Sequence, residues 1–198
     1  MTTNKKESSG NVELLVETIV EKEGKEIIHR VEKANSFVKG FVRHLTAYLT
    51  TDGYVDGFID TSGAANWISA GADFTQTALA PSGDDNYGVL VGTSSQTVSQ
   101  DQYNLVAKIS HGTTSGKLSY GETTYSISDT SLTMTITITR MFDNLSGGDV
   151  TVNEVGLFVK YTVGSDTKYA MIARDVITAT TIPNGGRLTV RYIIQVNP

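Results

Sequence analysis

The alternation of apolar and polar residues in the second half of the chain constrains the fold most strongly. Between Thr133 and Phe142 most even positions are apolar, and the odd positions are threonines as far as Thr139. The run from Leu188 to Val196 repeats the pattern, with an apolar residue at every even position. A period of two places alternate side chains on opposite faces of a β-strand. Each run therefore predicts a strand with one buried face and one face that is exposed to solvent or contacts another surface.

Runs of this kind recur between turn residues. They are Val89 to Val91, Tyr103 to Ile109, Lys117 to Tyr120, Leu132 to Phe142, Val150 to Val159, Tyr169 to Ile177 and Leu188 to Val196. Many short strands joined by turns are typical of antiparallel sandwiches and barrels. The sequence therefore predicts a mainly β fold, an antiparallel β-sandwich or barrel.

The N-terminal region adds a hairpin or arm to this fold. Val12 to Val20 and Ile27 to Val31 are β-branched runs around a turn that contains Gly24. This pattern favours a hairpin, although the Glu and Lys content would also suit a helix. Residues 1–11 are polar and are expected to form a flexible or assembly arm. Residues 12–198 are then a single β-rich domain.

From Asn35 the period of the sequence changes to that of a helix. The apolar residues at helical spacing are Phe37, Val38, Phe41, Val42, Leu45, Tyr48 and Leu49. They predict one amphipathic helix near residues 36–50 with this stripe buried. Asn35 or Ser36 can cap its first turn, and Gly53 can end it.

Residues 51–87 form the longest stretch without a sustained period. They are rich in Gly, Ala, Ser and Asp, and large groups are isolated. A connection of this length predicts a long ordered loop or an interaction segment. Its aromatic residues are candidate interface groups, because aromatic side chains are enriched in protein interfaces. They are Tyr54, Phe58, Trp67 and Phe74.

Charge and composition exclude several functional classes. The 16 basic and 21 acidic residues give a formal charge of -5, and the basic N-terminal region contains nearly as many Glu residues. Nucleic-acid binding is not expected, because phosphate contact requires an uncompensated positive surface. The chain has no cysteine, which excludes disulfides and thiolate sites. No stretch has the ~18 apolar residues of a membrane span, so we expect a soluble protein synthesised in the cytoplasm.

The histidines and serines do not form a recognisable catalytic motif. His29, His44 and His111 have no partner at metal-ligand spacing. His44 lies beside the predicted helical stripe and is expected to be structural, and His111 precedes a glycine and suits a turn. There is no nucleophile elbow around a serine and no phosphate-binding glycine loop. We therefore expect no enzyme activity and no cofactor.

Two groups of carboxylates could bind Ca²⁺ through their oxygens. Asp52, Asp56 and Asp60 are spaced by four, and Asp84 and Asp85 are adjacent. The ligand pattern of an EF-hand is absent. Solvated loop acids are the favoured interpretation, and no metal site is predicted.

One charged residue requires an explanation within the predicted sheet. Arg140 shares a strand face with Ile138 and Phe142, where a cation is tolerated only if it is paired or reaches water. A hairpin centred on Gly147 would place Glu154 opposite Arg140, within reach of a bidentate ion pair. The alternative is that Arg140 lies at the strand end and extends to solvent.

Several stretches resemble a group of structural proteins from the virions of tailed bacteriophages. They are Ala34 to Val38, Gly88 to Thr93, Ile109 to Gly112, Leu118 to Gly121, Ile138 to Asn144, Val152 to Phe158, Ala173 to Val176 and Leu188 to Tyr192. The strongest are Ile138 to Asn144 and Val152 to Phe158. The resemblance spans residues 34–196 and implies a capsid, neck or tail component located in the virion. It implies no catalytic residues.

The residues and the resemblance together predict a non-enzymatic virion structural protein that assembles with itself and with other virion proteins. The alternative is a carbohydrate- or receptor-binding β-module of a viral fibre or a bacterial surface. Trp67 and the Tyr and Asp residues around it motivate this alternative. A third reading is an enzyme whose site is assembled from distant residues.

Overall fold

The computed structural model describes residues 11–34, 37–49, 54–69, 76–131, 133–163 and 165–197. These residues form eleven strands and one helix. In chain order they are β1 (Asn11–Lys22), β2 (Lys25–Ala34), α1 (Lys39–Leu49), β3 (Tyr54–Ile59), β4 (Ala65–Ser69), β5 (Gln76–Thr77), β6 (Gly88–Gly92), β7 (Ser119–Asp129), β8 (Met134–Asp143), β9 (Val150–Val163), β10 (Asp166–Ile182) and β11 (Arg187–Asn197). The predicted mainly β class is confirmed.

The strands form two main antiparallel sheets. Sheet A has five strands in the order β2-β1-β11-β8-β7. In sheet B, β10 lies along one edge of β9, and β5 and β6 lie along the other. Strands β3 and β4 form a separate hairpin. The architecture is sandwich-like and not a closed barrel, since β2 and β7 end sheet A on opposite sides.

The predicted N-terminal hairpin is confirmed. Lys22 pairs with Lys25, which leaves a loop of Glu23 and Gly24. Both have positive φ angles, 53° and 72°, as a type I′ turn requires. The arm predicted for residues 1–11 lies outside the described residues except for Asn11, which begins β1.

The predicted helix is confirmed, but it begins at Lys39. Phe37 and Val38 instead lie along the edge of β10, where Phe37 bridges to Ala173 and the Val38 N–H donates to the Ile172 carbonyl at 3.1 Å. The predicted capping residues 35–36 and the predicted stop at 50–53 lie outside the described residues.

The helix buries a different stripe from the predicted one. Val38 is buried as expected, but among the described side chains of α1 the buried ones are His44 and Ala47, 4% and 1% exposed. A Cβ at Gly40 would lie 2.5 Å from the Met171 carbonyl oxygen, so the helix backbone is very close to β10. Small residues permit this approach. The predicted burial of three larger residues is wrong, because Val42, Leu45 and Leu49 are 60%, 45% and 74% exposed.

Two connections differ from the sequence prediction. The predicted long loop of residues 51–87 contains the β3–β4 hairpin and β5. The predicted strand Tyr103 to Ile109 is wrong, because these residues form a connection. The end of this connection bonds to β6, where the Ile109 N–H donates to the Val91 carbonyl at 2.9 Å.

The two sheets enclose one main core. Residues at even positions of β1, β11 and β8 share the inner face of sheet A, as the paired rows Val20, Leu188, Phe142 and Val16, Tyr192, Ile138 show. Polar contacts also join the sheets. The Tyr192 hydroxyl donates to Asp175 Oδ2 at 3.1 Å, and Arg30 Nη1 donates to the Ala179 carbonyl at 3.2 Å.

Candidate functional site

Two arginines of the described residues, Arg140 and Arg174, are completely buried. A buried guanidinium is costly unless its charge and its N–H groups are satisfied. The partners of these arginines therefore define the polar centres of the molecule.

Arg140 projects from β8 on the inner face of sheet A and donates only to backbone carbonyls. The five acceptors are Gly121, Tyr87, Val89, Pro81 and Asp84, at 2.5 to 3.2 Å. The guanidinium carbon also lies 4.8 Å from the centre of the Tyr120 ring. Burial lowers the pKa of Arg140 from its ordinary value. Since the acceptors lie mainly in residues 81–89, which lead into β6, Arg140 fastens this part of sheet B to sheet A.

The predicted ion pair between Arg140 and Glu154 is wrong. β8 pairs with β11 and β7, whereas β9 lies in sheet B, so residues 144–149 cross between sheets and do not close a hairpin. Arg140 lies opposite Val190, and Glu154 lies opposite Val176. The alternative, Arg140 extending to solvent, is also wrong because its side chain has no exposed surface.

Asn144 gives the physical reason for the crossing. This buried side chain donates through Nδ2 to the carbonyls of Gly148 and Ile182, both at 2.8 Å. Its Oδ1 accepts from the Ser146 N–H at 3.1 Å. Asn144 thereby holds the turn against the end of β10. Gly, Ser and Asn residues indicate a turn in either case, and do not distinguish a hairpin from a crossing.

Glu154 instead pairs with Arg174, at 2.7 Å between Oε2 and Nε, and neither side chain is exposed. Both residues also bond to the connection 93–107. Glu154 accepts from the N–H groups of Ala107 (2.7 Å) and Val106 (3.2 Å), and Arg174 donates to Gln96 O (3.0 Å) and Gln102 Oε1 (3.0 Å). This pair holds a long irregular segment onto sheet B.

The stretches that carry the sequence resemblance contain these buried polar groups. Ile138 to Asn144 includes Arg140 and Asn144, and Val152 to Phe158 includes Glu154. Each of the three side chains bonds to backbone of a connection rather than projecting into a cleft. These stretches therefore position loops.

The histidines have structural partners. His44 Nδ1 lies 2.8 Å from Gln76 Oε1, and burial lowers the pKa of His44 to about 4, against the opposing effect of the Gln76 bond. His44 is neutral at pH 7, as a structural role requires. His111 Nδ1 accepts from the Tyr120 N–H at 3.0 Å. His29 lies on an exposed surface, 2.7 Å from Glu17 Oε1.

The predicted acidic groups bond mainly to the chain itself. Asp60 is buried at the tip of the β3–β4 hairpin and accepts from Ser62 N–H, Ala64 N–H and Asn66 Nδ2. Burial alone would raise the pKa of Asp60, but these hydrogen bonds outweigh it and the pKa is lowered.

Asp85 accepts from the His111 N–H at 2.7 Å and from Lys108 Nζ at 3.2 Å, and Asp84 Oδ1 accepts from the Asn86 N–H at 2.8 Å. Asp52 and the Asp56 side chain lie outside the described part of the chain. Within that part, no group of three or more His, Cys, Asp or Glu side chains could hold a metal ion.

The four candidate interface residues are only partly described. Tyr54 and Phe58 lie in β3 and Trp67 lies in β4, so one hairpin carries all three. Trp67 is 38% exposed. The side chains of Tyr54 and Phe58, and the whole of Phe74, lie outside the described residues.

A surface that the sequence analysis missed lies at one end of the inner face of sheet A. Its two rows of directly opposed residues are Val12, Val196, Met134 and Ile194, Ile136, Ile127, with Tyr125 in the next row. Val12, Ile127 and Tyr125 are 61%, 56% and 60% exposed although they share a face with the core. We call this surface the apolar overhang.

A second apolar surface is the outer stripe of α1, formed by Val42, Leu45 and Leu49, which we call the helix ridge. The three residues have helical spacing and lie on one side of the helix.

No helix among the described ranges is long and apolar enough to cross a membrane.

Comparison with known proteins found no matching family model, no similar curated protein and no similar solved structure. The surfaces and the buried groups of the chain itself therefore carry the functional argument.

Proposed function

We propose that this chain is a non-enzymatic structural protein of a tailed-phage virion that assembles with itself or docks on other particle proteins. The apolar overhang is the observation that carries the proposal. Contiguous exposed apolar surface beyond a few hundred Å² is rare in monomeric soluble proteins and marks interaction sites. A neighbouring subunit would bury Val12, Ile127 and Tyr125, which the chain alone leaves open.

The buried ionisable groups support a role as a building block. Arg140, Glu154 and Arg174 are fully buried, and their described hydrogen bonds hold connections in place. A catalytic acid, base or nucleophile has to reach its substrate. These three residues cannot do so without disrupting the packing that they maintain.

The surface charges support protein partners rather than nucleic acid. On the outer face of sheet A, Glu17 accepts from Arg191 and Lys33 pairs with Glu13. Such pairing leaves little uncompensated positive surface for phosphates.

The helix ridge provides a second apolar surface apart from the overhang. Two surfaces allow one copy to contact two neighbours, as rings and arrays require.

A carbohydrate- or receptor-binding module is the second candidate, and the partial exposure of Trp67 favours it. An exposed aromatic ring can serve as a stacking platform for a sugar. Because Trp67 is the single tryptophan, its fluorescence reports on one place. A saturable change in this fluorescence on titration with a glycan library would favour this candidate.

The virion proposal is tested with particles of the virus that encodes the chain. Quantitative mass spectrometry of purified particles should find the chain at a fixed copy number. Deletion of its gene should give incomplete or unstable particles, and supplying the chain in trans should restore them. Absence of the chain from purified infectious particles would overturn the proposal.

A further inference from the structure

Sheet A ends in two edge strands of different chemical character. β2 carries Lys25, Glu26, Arg30, Glu32 and Lys33, and charged edge strands resist pairing with other chains. β7 contains no charged residue and no proline between Thr123 and Ser128. Of these two edges of sheet A, β7 is therefore the one suited to accept another strand.

The second half of β7 is open to solvent. All residues from Thr124 to Asp129 are exposed, and among the described strands β7 pairs only with β8. An edge strand presents a row of unpaired N–H and C=O groups that another strand can complete. Tyr125 and Ile127 belong to the apolar overhang, so this edge is continuous with the exposed apolar surface.

We propose that β7 pairs with β7 of a second copy of this chain, antiparallel about a two-fold axis at Ser126. The inference rests on the proposed function in one respect, namely that the chain assembles with itself. Pairing joins two five-stranded sheets into one of ten strands. It also brings the two overhangs together on one face, because directly opposed residues share a face of a sheet.

The free part of the β7 edge favours this register. Centring on Ser126 places Tyr125 opposite Ile127 of the second copy, a favourable aromatic and β-branched pair. The pairing then runs from Thr124 to Ser128 and ends before Thr123, whose N–H already donates to the Ala80 carbonyl at 2.8 Å. Moving the axis by one residue to Tyr125 would place Ile127 opposite Thr123, where the edge of β7 is already occupied.

Other occupants fit the edge less well. Residues 1–10 contain Lys5, Lys6 and Glu7 and no β-branched apolar residue that could continue the overhang. A head-to-tail contact would place β7 beside β2 of the next copy. Since four antiparallel pairings separate β2 from β7, the two strands run in the same direction, and the contact would be a parallel pair with a charged strand.

The test compares edge variants of the full chain by sedimentation equilibrium over a range of concentrations. The natural chain should form a dimer, and Ser126→Lys should weaken dimerisation by about tenfold or more because like charges meet at the axis. Ser126→Glu should have the same effect. Val31→Lys is the matched control, since Val31 is 55% exposed on the other edge strand and should leave dimerisation unchanged.

Mixing the two Ser126 variants tests the two-fold axis directly. An equal mixture should form the Lys/Glu heterodimer, which native mass spectrometry separates from both homodimers. A monomeric natural chain, undiminished dimerisation of both Ser126 variants, or polymers that Val31→Lys also abolishes would each overturn the inference. If the chain is monomeric but present at a fixed copy number in purified particles, the β7 pairing is wrong and the proposed function stands.

Discussion

At the scale of single residues, buried charges of this protein maintain the geometry of its connections. The sequence revealed that Arg140 needed a partner, but not which partner. Five backbone carbonyls satisfy it, and such acceptors leave no signature in side-chain patterns. The sequence does not predict the pair of Glu154 and Arg174, because 20 positions separate the two residues and the turn at residues 144–149 favours pairing of β9 with β8 rather than with β10.

A double-mutant cycle tests the observed pair. Glu154→Gln and Arg174→Met should each lower the free energy of unfolding by about 3 to 5 kcal/mol, because each leaves a buried partner uncompensated. The double variant should lose less than the sum of the single losses, measured by urea denaturation.

The control cycle combines Glu154→Gln with Arg140→Lys, which retains the charge but not the five-donor fork of arginine. These two changes should be additive to within about 0.5 kcal/mol, since the residues share no partner. Coupling in the control cycle, or additivity in the first, would contradict the observed partners.

His44 predicts a dependence of stability on pH. Its pKa is lowered from 6.5 to about 4 in the folded chain, so between these values the unfolded chain binds the proton more readily. Stability is therefore present above pH 6.5 and falls as the pH decreases toward 4, by up to roughly 3 kcal/mol. His44→Gln should remove most of this slope in urea denaturation at several pH values. The control variant His29→Gln changes an exposed histidine and should retain the slope. An unchanged slope in His44→Gln would refute the assignment of the slope to His44.

At the scale of elements, the sequence located strands with strict alternation but not their neighbours. β8 and β11 were predicted because their buried faces repeat every second residue. The residues of β7 after Tyr120 were missed because only two apolar residues, Tyr125 and Ile127, alternate with polar ones in this part of the strand. The helix was found from its period, but its orientation was wrong. The helix packs on β10 through Gly40, whose lack of a side chain allows the two backbones to approach. This contact, and not the size of the apolar side chains, decides which side of the helix is buried.

A glycine of β6 tests how closely the connection 93–107 packs. A Cβ at Gly92 would lie 2.4 Å from Glu154 Oε1 and 2.6 Å from the Ala107 carbonyl oxygen. Gly92→Ala should therefore lower the free energy of unfolding by about 1 to 3 kcal/mol. Gly148→Ala is the control, because no atom lies within 4 Å of its added Cβ, and its change should stay within about 0.5 kcal/mol. Equal costs in thermal unfolding would contradict the close packing.

At the scale of the whole molecule, the candidate surface depends on a relation that no local pattern contains. Alternation shows which face of a strand is apolar, but not how far the opposing sheet covers that face. Val16 and Val12 have the same parity in β1, yet Val16 is 1% exposed and Val12 is 61% exposed. The aromatic residues of the predicted loop were identifiable from sequence, whereas the overhang required the sheets themselves.

The overhang and the outer face of sheet A offer a matched pair of valines. Val12 and Val31 are 61% and 55% exposed and lie on opposite faces of neighbouring strands, since Val31 pairs with Glu17 in β1. Val12→Lys and Val31→Lys should each change the free energy of unfolding by less than about 1 kcal/mol, as exposed substitutions do.

Only Val12→Lys places a charge where a neighbouring subunit would exclude water, and burying an unpaired charge is costly. Under the proposed virion role, incorporation into particles should therefore fall by about tenfold or more for Val12→Lys and stay unchanged for Val31→Lys, measured by quantitative mass spectrometry of particles produced with each variant. Equal incorporation of both variants would show that the overhang remains open in the particle.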